Sequence, residues 1–337
     1  MAQKVTLAGN IIVDNVKTIS AWPDKGMLVP ITAVKRSPGG AVPNSGIDLK
    51  MLDPSVEVAA FGKVGDDDAG DFVRTFMSER GLDVSNVKSV EGIPTSFTDV
   101  MTVATTGERT FFNMHGADSA LVPEDVDPSL LGCDIFHLGY LLLLDGLDAE
   151  DDEYGTKAAR LLAKVRSAGI KTSLDIVSEQ SNRFSRIVRP ALKHCDYVVI
   201  NEIEGALATG LSAQDASGNV TEDSLRGICE GLFELGVGEQ VVVHCPQLSV
   251  SLDSRGHFAA VCSLELPAGW IKGSVGAGDA FCAGMLYSFL KGIPADEGMR
   301  IASCAAAMNL SVPDSVSAAK SLAETLSLES RFKRQVG

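Results

Sequence analysis

Along the second half of the chain, short apolar runs alternate with longer segments at helical spacing. The pattern predicts a strand at 135–138, a helix at 156–168, a strand at 171–175, a helix near 184–193 and a strand at 197–200. It continues through a helix at 222–235, a strand at 241–243, a helix at 279–291 and an alanine-rich helix from about 296 to 310. Such βαβα alternation predicts a doubly wound parallel sheet. Within the 279–291 helix, Phe281, Met285 and Phe289 recur at i, i+4 and i+8 and form one buried stripe. Gly292, followed by Pro294, supplies the stop.

The first half is less regular. Val5 to Gly9 and Ile11 to Val13 read as strand, leading to Asp14 at the end of an apolar run. Residues 16–36 carry Pro23, Gly26 and Pro30 among short apolar runs, a pattern too broken for helix and compatible with small irregular strands. Ile47, Leu49 and Leu52 mark a buried helix, and Val56 to Phe61 a strand. Asp66-Asp67-Asp68 lacks the spaced oxygen ligands of a calcium loop and reads as the acidic start of a helix that closes on Gly81. Residues 98–105 and 109–113 read as a hairpin, so that 16–36 and 93–115 together build a small β sheet standing off the main body. Residues 212–219 read as a plain surface loop.

Three loops carry candidate chemistry. Gly273-Ser274-Val275-Gly276-Ala277-Gly278-Asp279-Ala280-Phe281 places two glycines, one residue apart, before a helix, so backbone N–H groups can turn toward one anion. Asp279 is either an ordinary capping aspartate or a base set beside that anion nest, an arrangement suited to phosphoryl transfer to an alcohol. Pro38-Gly39-Gly40-Ala41-Val42-Pro43-Asn44 lets backbone lie close against a small ligand, with Asn44 able to donate and accept. Asn201 and Glu204, at the end of the 197–200 strand, suit a hydrated Mg²⁺ with nucleotide phosphates, and equally suit a helix cap with a glutamate in the first turn. Asp14 is either a binding group at a strand end or a turn residue.

Composition narrows the classes. A chain of 337 residues with 45% hydrophobic and 22% charged residues builds a large globular core, and no linker separates halves. The net charge of −15 opposes nucleic-acid and anionic-membrane partners. Leu141 to Leu144 is far too short to span a bilayer and the N-terminus lacks a signal-peptide block, so a cytoplasmic location is expected. The seven cysteines show no C-x-x-C spacing and read as buried free thiols. His194-Cys195 and His244-Cys245 are adjacent pairs of the wrong geometry for one metal, so no structural zinc is expected.

With these loops placed, the chain resembles the ribokinase-like, or PfkB-type, carbohydrate kinase family over nearly all of its length. The likeness rests on Gly39-Gly40-Ala41-Val42-Pro43-Asn44 and on Gly276-Ala277-Gly278-Asp279 with Ala280-Phe281, in that order, supported by Asn201 and Glu204, by Asp14 and by the glycine-rich stretch near residue 65. The resemblance implies a three-layer α/β/α sandwich with a mostly parallel central sheet and a small β-sheet lid. One kinase domain would span 1–330, with lid segments about 12–36 and 93–115 and a frayed basic tail at 331–337. It implies ATP-dependent, Mg²⁺-requiring phosphorylation of a sugar or nucleoside hydroxyl. Asp279 would be the base and Gly276, Ala277 and Gly278 the anion hole. Asp14, Gly39, Gly40 and Asn44 would hold the acceptor, while Asn201, Glu204 and Ser274 would serve the nucleotide, with Glu204 organising Mg²⁺. Lids of this kind pair across a homodimer.

Three departures qualify the likeness. Gly273-Ser274 stands where the family often has Asp-Thr, which puts K⁺ activation in doubt. His244-Cys245-Pro246-Gln247-Leu248-Ser249 replaces a T-x-G-x-x-G segment, losing both glycines and setting a proline where backbone freedom is expected, which bears on nucleotide choice. Ile12 stands where ribokinases carry a polar sugar ligand. A sugar kinase therefore leads. A nucleoside kinase follows, with Ile12, Phe97 and Phe111 lining either a base pocket or the core. The third reading is a non-catalytic ligand-binding homologue. A dinucleotide oxidoreductase is disfavoured, because Gly276-x-Gly278 lacks the third glycine of that fingerprint.

Overall fold

The structure is a computed structural model that describes residues 3–179 and 182–335. Its strands are β1 (Lys4–Gly9), β2 (Ile12–Ile19), β3 (Ile31–Gly39), β4 (Glu57–Gly65), β5 (Asp83–Val90), β6 (Phe97–Val103), β7 (Arg109–Met114), β8 (Ile135–Leu141), β9 (Glu150–Asp151), β10 (Gly155–Thr156), β11 (Lys171–Ile176), β12 (Tyr197–Asn201), β13 (Gln240–His244), β14 (Leu248–Asp253) and β15 (Phe258–Cys262). Nine of them form the main sheet in the order β15-β14-β13-β12-β11-β8-β1-β4-β5. Its strands from β13 to β5 are parallel, and β14 and β15 add antiparallel pairs at one edge. The short β9–β10 hairpin lies apart.

The central strands are apolar at nearly every position because both faces are covered, as a parallel sheet requires. Successive residues point to opposite sides. On β12, Val198 and Ile200 enter one core with the helices Lys157–Ser167, Phe184–Leu192 and Glu222–Glu234, while Val199 enters the other. That second core takes the helices Ala41–Leu52, Asp68–Glu79, Ala277–Lys291 and Ala295–Asn309. The result is the expected three-layer α/β/α sandwich. Phe281 and Met285 are buried in it, and Phe289 stacks on Tyr197 with ring centroids 4.3 Å apart. The 277–291 helix ends on Gly292 in the left-handed region at φ 66°, a conformation that favours glycine.

The small second sheet has the order β3-β2-β6-β7, drawn from the two segments expected to stand off the body. Strand β2 runs antiparallel to β3 and parallel to β6. Its strands are longer and better paired than the proline and glycine pattern of 16–36 suggested, since Pro23, Gly26 and Pro30 all fall in the β2–β3 connection. The strand β5 and the edge pair β14–β15 had no clear sequence signal. In β5, residues Asp83 and Asn86 interrupt the apolar pattern because this strand closes the other edge of the sheet.

The expected frayed tail is instead held. Arg334 Nη1 donates to Cys262 O at 2.6 Å, Arg334 pairs with Glu329, and Leu264 bridges Arg334 in the backbone. Val336 and Gly337 lie outside the described residues. All seven cysteines are free thiols, Cys133 and Cys262 being only half-buried. Among the described residues no helix is long and apolar enough to cross a membrane.

Asp67 begins the 68–79 helix as expected of an acidic start, its Oδ1 accepting from Gly70 N at 2.8 Å. The same carboxylate accepts from Thr95 N at 2.9 Å and Thr95 Oγ1 at 2.6 Å, which ties the helix to the chain entering β6. These bonds hold its pKa below the usual value, so their contribution is present above the unfolded carboxylate pKa and is lost as pH falls through the lower folded one. Asp67→Ala is expected to destabilise the fold by about 1–2 kcal/mol near neutral pH, read from urea denaturation. A loss indistinguishable from zero would remove this cap as a tie point.

Candidate active site

Open α/β sheets bind ligands beyond the C-terminal ends of their strands. Here the ends of β8, β11, β12 and β13, the start of the 277–291 helix and the inner face of the small sheet enclose one cleft of about 800 Å³. Its floor is the Asp279 carboxylate, which is only 5% exposed. Asn44 Nδ2 donates to Asp279 Oδ2 at 2.9 Å, and the Tyr140 hydroxyl donates to Oδ1. Burial pushes the Asp279 pKa up to about 6, opposed by the hydrogen bonds from Tyr140, Asn44 and Ser45.

The glycines of the two loops have distinct tasks. Gly276 caps the helix in the left-handed region at φ 83°, and a Cβ there would lie 2.7 Å from the Cβ of Ser315. The first helical N–H groups have no partner inside the helix. Ala280 N returns to Gly276 O at 2.8 Å and Ala277 N is engaged by Ser274 O at 3.3 Å, so Gly278 and Asp279 carry the remaining N–H groups of the first turn. A Cβ on Gly278 would meet only His244 Cε1, at a contact distance of 3.9 Å. Gly40, at φ 91°, brings the backbone against Asn10, where a Cβ would sit 2.6 Å from Asn10 O.

Asp14, on β2, packs its carboxylate into the place of the missing Gly39 side chain. Burial first, and then the negative charge of Asp279, push its pKa up to about 7. Of the residues singled out in the sequence, Asp14, Gly40, Asn44, Asn201, Glu204, Ser274, Gly276, Gly278 and Asp279 line this one cleft. Gly39 and Ala277 do not. Gly39 makes room for Asp14, and the Ala277 amide is turned into its own loop.

At Asn201 and Glu204 the capping alternative is realised. The Asn201 side chain caps the helix Glu202–Thr209 through Ile203 N and Glu204 N, and Glu204 Oε2 accepts from Asn201 N at 3.0 Å in a capping box. Glu204 Oε1 accepts from Ser178 Oγ at 2.6 Å, and burial still pushes the carboxyl up to about 7. Capping and cleft exposure coexist in the same two residues.

Sequence reasoning missed Asn10, Tyr140 and Asp175 and reached His244 only within the altered 244–249 segment; all four are on the cleft wall. Asp175 ends a predicted strand as Asp14 does, and the same strand-end argument reaches it. Its pKa is raised by burial and by the charges of Glu204 and Asp279. Tyr140 has no local signal. Ile12 and Phe111 line the cleft, and Phe111 is 55% exposed in place of joining the core.

Charge is the outstanding feature of the wall. Asp14, Asp175, Glu179, Glu204 and Asp279 line it, and among the described residues no lysine or arginine does, although Glu179 is ion-paired with Arg183. Beyond burial, Asp279 raises the pKa of Asp14, and Glu204 and Asp279 raise that of Asp175, a crowding that a bound cation would offset. The donor set is hard oxygen, which fits Mg²⁺. Glu204, whose two oxygens already accept hydrogen bonds, suits contact through water, and Mg²⁺ commonly keeps several waters.

Comparison with known proteins places this geometry in a family. The model of the pfkB family carbohydrate kinases matches residues 3–321. The chain belongs to that family, a family of phosphotransferases acting on sugars and nucleosides. It is 28% identical over 307 residues to a fructokinase of Escherichia coli, covering 88% of each protein, and 23% identical over 318 residues to a ribokinase of Arabidopsis thaliana, covering 94% of this chain and 78% of the relative. Among solved structures, the Arabidopsis thaliana ribokinase complexed with ribose and ATP shares the fold at a TM-score of 0.81 and 21% identity, over 97% of this chain and 99% of that one. A putative ribokinase II from E. coli with ATP and Mg²⁺ shares it at a TM-score of 0.76 and 19% identity, over 98% and 99%.

The Tyr140–Asp279 bond gives a direct check of the site's electrostatics. A donor to the ionised carboxylate lowers its pKa. Tyr140→Phe is therefore expected to move the Asp279 pKa upward from about 6, read by carboxyl ¹³C NMR titration. An unchanged titration would show that the hydroxyl does not touch the charged form.

Proposed function

We propose that this protein is an ATP-dependent sugar kinase that transfers the γ-phosphoryl group of ATP to a hydroxyl of a monosaccharide. The observation that carries the reading is the placement of the buried Asp279 carboxylate at the N-terminus of the 277–291 helix, in one cleft with Asp14 and Asn44. Asp14 accepts hydrogen bonds from acceptor hydroxyls and Gly40 lets the sugar approach the backbone. The reactive hydroxyl displaces Tyr140 from Asp279 Oδ1 and gives its proton to the carboxylate as the O–P bond forms. The N–H groups of Gly278 and Asp279, with the loop around Gly276 and Ser274, receive the negative charge of the transferring phosphoryl group. Asp175 and Glu204 would hold Mg²⁺, which would supply charge neutralisation for the nucleotide phosphates. The small sheet lies over the cleft and excludes water that would otherwise hydrolyse ATP.

Potassium has no evident place in this scheme, since Gly273 offers no side chain. A nucleoside acceptor is the second reading, favoured by the apolar Ile12 and the exposed Phe111 on the wall, which suit a flat base. On the outer face of the small sheet Trp22 and Phe112 stack at 6.2 Å, and exposed Ile31 and Val34 add apolar area, which supports a homodimer through the lid.

The test is ADP release from Mg·ATP against hexoses, pentoses, sugar acids and nucleosides, with K⁺ or Na⁺. A hit among the sugars, insensitive to the choice of monovalent ion, is the expected result. Silence across the panel with no thermal stabilisation by ATP would transfer the reading to a non-catalytic homologue. On the best acceptor, Asp279→Asn is expected to lower kcat by about 10²–10⁴-fold with acceptor affinity largely kept, as measured by calorimetry. Turnover near the wild-type value would remove Asp279 as the base.

The base must be ionised to accept a proton, so kcat/KM is expected to be low at acidic pH and to rise as pH increases through about 6, the value set by burial of Asp279. A profile flat from pH 5 to 8 contradicts the assignment.

A further inference from the structure

Below the cleft floor, His137 on β8, Asp175 on β11 and Cys282 on the 277–291 helix converge, all nearly or fully buried. Their donor atoms lie within 4.8 Å of one another, and His137 Nε2 is 3.8 Å from Cys282 Sγ. His137 Nδ1 is hydrogen-bonded to Ser173 Oγ at 3.0 Å, which fixes the ring with Nε2 toward the sulfur. Gly139 borders this space: a Cβ there would first meet the Cβ of Ala41 at 2.9 Å and then lie 3.4 Å from His137 Nε2 and 3.5 Å from the Cβ of Asp175. Phosphoryl transfer makes no use of His137 or Cys282.

We propose that His137, Asp175 and Cys282 form a three-ligand site for a borderline-soft divalent cation, Zn²⁺ foremost, through which that ion inhibits the enzyme. One imidazole nitrogen, one thiolate and one carboxylate match the ligand types zinc takes, with the Ser173 hydroxyl in the outer shell that orients a metal-bound histidine. Zn–N of about 2.0 Å and Zn–S of about 2.3 Å at a tetrahedral angle separate N and S by about 3.5 Å, so His137 and Cys282 need only a small closure. Asp175 also lines the cleft, which provides access for the ion and a direction for its fourth, water-filled position. Mg²⁺ does not compete for this donor set, because it prefers all-oxygen coordination. The adjacent pairs His194-Cys195 and His244-Cys245 take no part in the site.

Binding replaces the thiol proton of Cys282 by the metal and releases it to solvent. The ion draws Asp175 out of the cleft's carboxylate group and pulls on the helix turn that carries Asp279. Only this inhibitory consequence rests on the kinase reading.

The test uses Co²⁺ as a spectroscopic substitute in the full-length protein, with Zn²⁺ as competitor. The expected result is a near-ultraviolet cobalt–thiolate charge-transfer band with the visible intensity of tetrahedral cobalt, both removed by Zn²⁺ and absent in Cys282→Ala. Ser173→Ala is expected to bind about 10–100-fold more weakly, and it keeps the proposal testable if Cys282→Ala melts abnormally. Binding without a thiolate band, or a band unchanged in Cys282→Ala, would overturn the site by placing the metal on the cleft carboxylates or another thiol. In the turnover assay, Zn²⁺ inhibition at saturating Mg·ATP is expected for the wild type and lost in Cys282→Ala. Inhibition equal in both proteins would overturn the inhibitory role even with the cobalt band present. The spectrum needs no turnover, so a protein inactive on every acceptor still decides the binding question.

Discussion

A carboxylate removed from water must be surrounded by donors or give up its charge, and the Asp279 site is built around that constraint. The donors come from far apart in the chain. Asn44 belongs to the helix after the Gly39-Gly40 loop, 235 residues earlier, and Tyr140 closes the central strand β8. The helices 41–52 and 277–291 must therefore pack side by side on one face of the sheet, with β8 ending beneath them. Gly40 allows the first of these approaches, and the close packing of Gly276 on Ser315 holds the second loop in place. Two glycine-rich loops that look independent in sequence are two halves of one shell around a buried charge.

The same constraint explains the acidity of the cleft. Burial first and then the charge of Asp279 raise the proton affinity of Asp14, and burial followed by Glu204 and Asp279 raises that of Asp175. Among the described residues no lysine or arginine lines this wall, although Arg183 pairs with Glu179. The remaining carboxylates are a hard-oxygen set of the kind that suits a hydrated divalent cation. Their charge also repels a nucleotide that arrives without its metal, so nucleotide and metal are expected to enter together.

Much of this was legible in the sequence because the relevant requirements are local. Glycines at Gly40 and Gly276 announce backbone that bears no Cβ, and the apolar alternation after Ile135 announces parallel strands covered on both faces. What was not legible depends on which strand lies beside which. Asp175 and Tyr140 acquire their roles only because β11 and β8 are neighbours and both end at the cleft. Phe111 stood open between a base pocket and the core, and its place on the cleft face of β7, at the edge of the small sheet, leaves it exposed on the cleft wall. Asn201 and Glu204 supported two readings, and the capping box satisfies one of them without withdrawing either residue from the cleft. The basic tail looked free because its partners, Cys262 and Glu329, are set by tertiary packing.

The 244–249 segment shows how a departure from a family pattern can be absorbed by the fold. Strands β13 and β14 pair antiparallel through His244 and Ser249, with Pro246 and Gln247 at the tip and Cys245 N donating to Leu248 O at 2.9 Å. A proline at the tip of a turn brings its preset φ and withdraws no N–H from the strand ladder, so losing both glycines leaves the hairpin intact. The change is felt in the cleft wall. His244 stacks on Phe281 with ring centroids 4.5 Å apart, and burial pushes its pKa down to about 4, so at neutral pH it presents an uncharged ring edge beside Gly278. A neutral aromatic wall next to the phosphate loop adds no positive charge to the cleft. It leaves the N-terminus of the 277–291 helix as the neighbouring feature that attracts an anion.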